Sequence, residues 1–229
     1  MIWEAIKQAV EMLTTDSGVW IIILRSLEVS GVAVLSAALI GIPLGLLVGL
    51  ARFPGRSAAI SVVNTGMALP PVVVGLLVFL LLSRTGPLGS FQLLYTKQAM
   101  MTAQLIMAVP LILGITVAGI SGVSKELLLQ ARSLGAGRMQ IAVLALREAR
   151  LVLVMALVAG MGRVIAEVGA VMMVGGNIKG NTQVMTTAIM EEVRKGNYSV
   201  GLALGVILLG IALAANAFMS RLQVKETAA

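Results

Sequence analysis

Apolar residues run along this chain in stretches of about twenty or more, separated by short polar segments, which is the length a helix needs to cross a bilayer. Five stretches stand out: Val29–Ala51, Ser57–Ser83, Gln98–Val123, Leu151–Gly176 and Val200–Ser220. They predict an all-α membrane protein of about five transmembrane helices. Pro43, Pro70-Pro71 and Pro110 fall inside three of them, and such breakers are tolerated where neighbouring helices satisfy the backbone groups they release. Pro70-Pro71 removes two successive donors and predicts a bent or interrupted span, read either as a gate or as a packing kink. Asn64 and Thr65, in the same span, join it as candidate path residues. Ahead of the first span, residues 1–20 form an amphipathic segment. Ile2, Ile6, Val10 and Leu13 mark one face, with Glu4, Lys7 and Glu11 elsewhere, predicting a short helix lying in the outer interface. The segment lacks the basic start and unbroken apolar core of a cleavable signal peptide. Arg25 and Glu28 set the outer end of the first span in the interface.

Composition agrees with this reading and narrows the chemistry. Of 229 residues, 59% are apolar and 12% charged, with mean hydropathy +1.01, more than one soluble core would hide. The chain has no cysteine and no histidine. It therefore has no disulfide framework, no thiolate metal site and none of the commonest catalytic base. The fourteen methionines are scattered over the spans and read as packing, not as soft-metal ligands. No metal or cofactor is expected, and Glu167 with Asn177 is too small a set for an intramembrane enzyme.

The net charge of +7 matters through its placement, so no nucleic-acid partner is expected. One set of connections carries Arg52, Arg56, Lys125, Arg132, Arg138, Arg147, Arg150, Arg221 and Lys225. The other carries Lys7, Arg25, Arg84, Lys97, Lys179, Arg194 and Lys195. The short loop with Arg52 and Arg56 and the basic segment 125–150 are assigned to the cytoplasm, which puts the N-terminus out and the C-terminus in.

Arg163 and Glu167 are the charges at membrane depth. Arg163 lies about 18 Å into the fourth span, near the midplane, and Glu167 follows one turn later on the same helical face. Charges there face a bundle interior or an aqueous path. Two readings stand: an ion pair that fixes packing, or a charged lining for a translocation path. Past Gly175-Gly176, residues 177–199 form a polar outer loop with Asn177, Thr182 and Gln183 as candidates. Asn181 or Thr182 is placed to cap a short helix, and Gly196 to end it. The loop would close the external mouth, meet a binding protein, or lie in the interface.

Between the third and fourth spans, residues 124–150 read as helix, turn, helix. Ser124 and Glu126 start the first piece, and Gly135 and Gly137 stop it. Leu127, Leu128, Leu134 and Ile141 are poor residues to leave in water, and an apolar group rimmed by charge suits a partner surface. This segment resembles the cytoplasmic loop of ATP-binding-cassette importer permeases, in which Glu-Ala-Ala is followed three residues later by Gly. Here the triplet is Leu129-Gln130-Ala131, then Gly135, and Arg147-Glu148 stands where the family has Leu-Pro. Ala131-Arg-Ser-Leu-Gly-Ala-Gly-Arg138, Leu146-Arg-Glu-Ala-Arg150, Glu167-Val-Gly-Ala-Val-Met-Met-Val-Gly-Gly-Asn-Ile178, Gly180-Asn-Thr-Gln183 and Gly196-Asn-Tyr198 are similar to the tungstate-importer permeases, within a group that includes molybdate and sulfate permeases.

That resemblance implies a type I ABC importer permease fold, one permease domain over 1–229, and a bacterial or archaeal cytoplasmic membrane. It places Ala131, Arg132, Ser133, Leu134, Gly135 and Ala136 in a coupling loop seated on an ATPase subunit. It also implies a homodimer with two ATPase subunits, an extracytoplasmic oxyanion-binding protein, and tungstate as cargo. Two readings from the residues fit: the chain has no Gly-x-x-x-x-Gly-Lys-Ser/Thr phosphate loop of its own, and five spans are too few to enclose a path alone. A gradient-driven secondary transporter is the alternative. It would have no use for the 124–150 hairpin, and the internal repeats often found in such carriers are not evident.

Overall fold

The computed structural model describes residues 2–51 and 53–227. Arg52, counted above with the cytoplasmic charges, lies outside the described residues, as do the side chains of Arg221 and Lys225. Among the described residues the chain runs as α1 (Ile2–Thr15), α2 (Ser17–Leu50), α3 (Arg56–Met67), α4 (Pro71–Leu82), α5 (Lys97–Ser121), α6 (Lys125–Ser133), α7 (Arg138–Glu148), α8 (Arg150–Ile165), α9 (Gly169–Gly175), α10 (Met185–Arg194) and α11 (Tyr198–Thr227).

By length and composition, α2 and α5 are each long and apolar enough to cross a membrane as one helix. The pairs α3–α4 and α8–α9 qualify only as bent spans, with bends of 93° and 62°, and α11 carries an apolar stretch over Tyr198–Ala214. The five apolar runs thus correspond to α2, α3–α4, α5, α8–α9 and α11. The first helix is longer than its apolar run: α2 starts at Ser17, where the Asp16 carboxylate accepts from Gly18 N–H at 2.7 Å. Its 34 residues extend about 51 Å, well beyond a hydrocarbon core. The extra turns carry Arg25, which is 7% exposed and not interfacial as the sequence suggested.

The centre of the bundle is the seam between α2 and α5. Gly41, Gly45 and Gly49 recur every fourth residue on α2 and face Ile112, Thr116 and Ile120 of α5. A Cβ on Gly45 would stand 2.6 Å from that of Thr116. Small residues at this spacing let two backbones approach and gain dispersion contacts that lipid does not offer. The buried Thr116 hydroxyl donates to the Ile112 carbonyl at 2.7 Å, so no polar group is stranded there. At the outer end of the seam Lys97 reaches Glu28 at 2.7 Å, joining the start of α5 to α2.

The bend expected at Pro70-Pro71 is present. α3 ends at Met67, Pro71 opens α4, and the chain turns through 93° between them. A second break was not expected. The fourth run was read as continuous, but α8 stops at Ile165, and residues 166–168 connect it to α9. The N-terminal helix forms as predicted and packs on its neighbour through a different face from the isoleucine stripe. Ala5 and Ala9 are buried on the side that packs against α11, while Ile6 and Val10 face outward. Alanine allows the closer approach, so the alanine stripe and not the isoleucine stripe is covered.

Candidate functional site

Three groups of residues build the site: the two breaks at membrane depth, the 124–150 hairpin at one end and the 177–199 loop at the other. The breaks lie side by side. A Cβ on Gly169, the first residue of α9, would be 3.2 Å from Val72 Cγ2 on the first turn of α4. One on Gly75 would be 2.7 Å from the Ala170 backbone. The structure therefore brings the Pro70-Pro71 corner next to the Glu167 connector. Asn64 and Thr65 stay exposed on α3, with the Thr65 hydroxyl donating to Ser61 O at 2.9 Å.

Arg163 and Glu167 do not share a helical face, and among the described residues no ion pair joins them. Arg163 is exposed in the last turn of α8, whereas Glu167 is half-buried beyond the helix end. The physical reason is the break itself. The Glu167 carboxylate is engaged with the start of α9, where Oε1 accepts from Ala170 N–H at 3.0 Å, and a carboxylate at a helix start is favoured by the dipole. An Arg163–Glu167 pair that fixes packing is therefore not formed among the described residues.

At the hairpin, Ser124 caps α6 by accepting from Leu127 N–H at 3.2 Å and donating to Glu126 at 2.8 Å. The backbone N–H at the helix start, and then that hydroxyl, hold the Glu126 carboxyl below its ordinary value. Gly135 takes φ +89°, and Ala136 N–H returns to the Ala131 carbonyl at 3.0 Å, a tight helix stop. The turn leaves Arg132, Ser133, Leu134 and Gly135 exposed, with Leu134 88% exposed, and Ala131 and Ala136 half-buried. Behind this tip, Ile141, Ala145 and Ala149 are buried; Ala145 and Ala149 pack in one cluster with Ile120 at the end of α5. Ala149 both ends α7 and starts α8. The hairpin is thus mechanically continuous with α5 on one side and α8 on the other.

The opposite end is a polar network. The Glu191 carboxylate accepts from Asn177 Nδ2 at 2.8 Å and Gln183 Nε2 at 2.6 Å, and pairs with Lys195. Lys195, with Asn177 and Gln183 assisting, holds the Glu191 carboxyl below its usual range despite partial burial, while Glu191 and Glu192 raise Lys195. Thr182 is not the cap of α10 as expected. Its hydroxyl turns inward, donating to Gly175 O and accepting from Ile178 N–H, while Thr187 reaches back to Val184 N–H at 3.0 Å. Gly196, at φ +82°, follows the end of α10 as expected.

Reasoning from sequence missed the residues that hold this loop down. Arg25 donates to the carbonyls of Gln183 at 3.0 Å and Gly180 at 2.6 Å, and Ser26 accepts from Met185 N–H at 2.9 Å. It also missed Gln104, a lone buried amide inside the third run whose Nε2 donates to Val164 O at 2.9 Å. Its position in an apolar span was the available signal, since polar groups at that depth seek partners.

Residues 41–225 match the family described as binding-protein-dependent transport system inner membrane component. A probable anion ABC transporter permease of Haloferax volcanii is 46% identical over 201 residues, covering 86% of this chain and 87% of that one. The tungstate uptake system permease TupB of Peptoclostridium acidaminophilum is 42% identical over 221 residues, covering 96% and 97%. The fold is that of a chain in the crystal structure of a bacterial alginate ABC transporter with its pentasaccharide-bound periplasmic protein. The TM-score is 0.81 at 21% identity, covering 99% of this chain and 87% of that one. With its apolar spans, broken helices and basic hairpin, this multi-pass membrane protein belongs to the binding-protein-dependent transport system inner membrane components.

Proposed function

We propose that this chain is the permease of an ATP-driven oxyanion importer, that tungstate is its cargo, and that it works as a homodimer with two ATPase subunits and an extracytoplasmic binding protein. The likeness to the tungstate uptake permease, along nearly the full length of both chains, carries this reading. The geometry fits it. Glu167 and the Pro70-Pro71 corner lie where two interrupted helices meet, with Arg163 in the last turn before the break. Irregular backbone at membrane depth is tolerated where protein buries it or a water-filled path adjoins it. An exposed guanidinium that is not paired with Glu167 offers an anion attraction without a buried site to trap it.

Residues 131–136 are the proposed contact with the ATPase. A push on the exposed Leu134 tip would travel through α6 to α5 and through α7 to α8, changing the angle between broken spans as rigid bodies. The same geometry supports the proposed sidedness. Arg56 donates to Val48 O at 2.9 Å and to Ser121 at 3.1 Å, so the first basic loop sits at the hairpin's end of the bundle. That end is assigned to the cytoplasm, with the N-terminus and the 177–199 loop outside. Asn177, Thr182 and Gln183 then brace from within the external loop on which the loaded binding protein docks.

The test is uptake of tungsten into vesicles that hold the permease, its ATPase and ATP, with binding protein outside. ATP-dependent uptake resisted by excess molybdate and sulfate is expected. Uptake that either competitor abolishes at equal concentration would reassign the cargo, and uptake that follows an imposed ion gradient without ATP would replace the importer by a secondary carrier.

A further inference from the structure

The connector between α8 and α9 has no proline and no glycine, yet it stays broken inside the bundle. A helix that stops there leaves its last carbonyls without partners, and no water competes for them in the hydrocarbon. Two side chains from other elements take up that role. Gln104 of α5, 3% exposed, donates through Nε2 to Val164 O at 2.9 Å, the same carbonyl that receives Glu167 N–H at 3.2 Å. Thr186 of α10 donates its hydroxyl to Glu167 O at 2.9 Å. Between these two points Glu167 itself bonds Ala170 N–H and starts α9.

We propose that Gln104 and Thr186 are positioning residues, a two-point clamp that sets the α8–α9 connector and ties it to the rigid α5 on one side and the outer loop on the other. The anchors differ in character. α5 is locked to α2 by the glycine seam. α10 is held through Met185 N–H to Ser26 and through the Glu191 network. The connector therefore senses the outer loop relative to a fixed frame. Gln104 Oε1 is buried and meets no protein donor, so releasing this clamp point forfeits one hydrogen bond and not two. Loosening α10 would release Glu167 O and let α9, with the carboxylate at its start, swing against α4. The clamp stands on geometry alone, while its use in transport rests on the importer reading.

The chain has no cysteine, so a single one introduced at the buried Val171 of α9 reports on release of the connector directly. In full-length permease in lipid vesicles, Gln104→Met and Thr186→Val remove one donor each at nearly constant volume. Each is expected to raise the maleimide labelling rate of Val171→Cys by about two- to tenfold, the worth of one hydrogen bond. With ATPase and tungstate-loaded binding protein added, each should lower maximal stimulated ATP hydrolysis while the binding-protein concentration for half-stimulation holds. An unchanged labelling rate in either variant overturns the two-point clamp. Labelling that rises with no effect on stimulated hydrolysis overturns its role in coupling. Failure of the wild-type permease to associate with an ATPase overturns the importer reading and leaves the labelling result standing. Thr186 lies outside the central seam, so its variant answers if Gln104→Met does not fold.

Discussion

Where α2 meets α5 both helices are unbroken and their contact is made by glycine; where α8 gives way to α9 the backbone is interrupted and held by side-chain hydrogen bonds. Apart from the Lys97–Glu28 pair at its outer end, the seam is held by packing, and a Cβ on Gly45 would collide with Thr116, so it has one packing and resists change. The connector is the reverse. Glycine 162 beside it faces open space, and its order depends on Gln104, Thr186 and Glu167. Packed seams transmit force, while clamped breaks absorb it, and a transport subunit needs both.

The largest effect should come from breaking the seam. Gly45→Leu forces the helices apart and is expected to cost about 1–3 kcal/mol or more, seen as a lower melting temperature in detergent. Gly162→Ala, in the open region, should cause no loss, and equal destabilisation by both would erase the distinction between the two regions. Next comes the hairpin. Gly135→Asp places a side chain at φ +89°, a strain of about 1–2 kcal/mol. It should abolish stimulated ATP hydrolysis while the permease still folds; retained stimulation would remove Gly135 from the coupling contact. Arg163→Gln should slow uptake without moving the melting temperature, because Arg163 is exposed and unpaired with Glu167 among the described residues; unchanged uptake would remove it from the path.

The smallest effect is a pH dependence in the outer loop. The Glu191 carboxyl is held below its ordinary value, so its contribution is present above the unfolded pKa and is lost as pH falls through the folded one. Lys195 is raised, so its contribution is lost only in strong alkali, and Glu192 is lowered like Glu191. Hydrogen exchange near Asn177 and Gln183 should accelerate below the usual carboxylate range. Glu191→Gln should flatten most of that dependence, and an undiminished response would place the titration elsewhere.

How far the sequence reached differs between these regions for physical reasons. Apolar runs reported five spans because hydrocarbon thickness sets their length, and Pro70-Pro71 reported its bend because a missing donor is local. The α8–α9 break was hidden because nothing between Ala166 and Val168 is a helix breaker; its partners lie on α5 and α10. Arg25 looked interfacial by its neighbours Ser26 and Glu28, yet it bonds carbonyls 155 and 158 residues away. The hairpin's helix, turn and helix were legible from Ser124 and Gly135, as was the termination of α10 at Gly196, but of the four apolar residues read as a partner surface only Leu134 is exposed, because Ile141 and Leu128 turn inward. The cap of that helix was not, because Thr182 found a nearer carbonyl in Gly175.

The central claim is that the 124–150 hairpin couples a partner's ATP hydrolysis to the broken spans. It is tested most directly by ATP hydrolysis in vesicles holding the permease and its ATPase, with binding protein added empty or loaded with tungstate. Stimulation by the loaded protein that disappears in Gly135→Asp is the predicted result. An ATPase that neither associates with the permease nor responds to the loaded binding protein would contradict it.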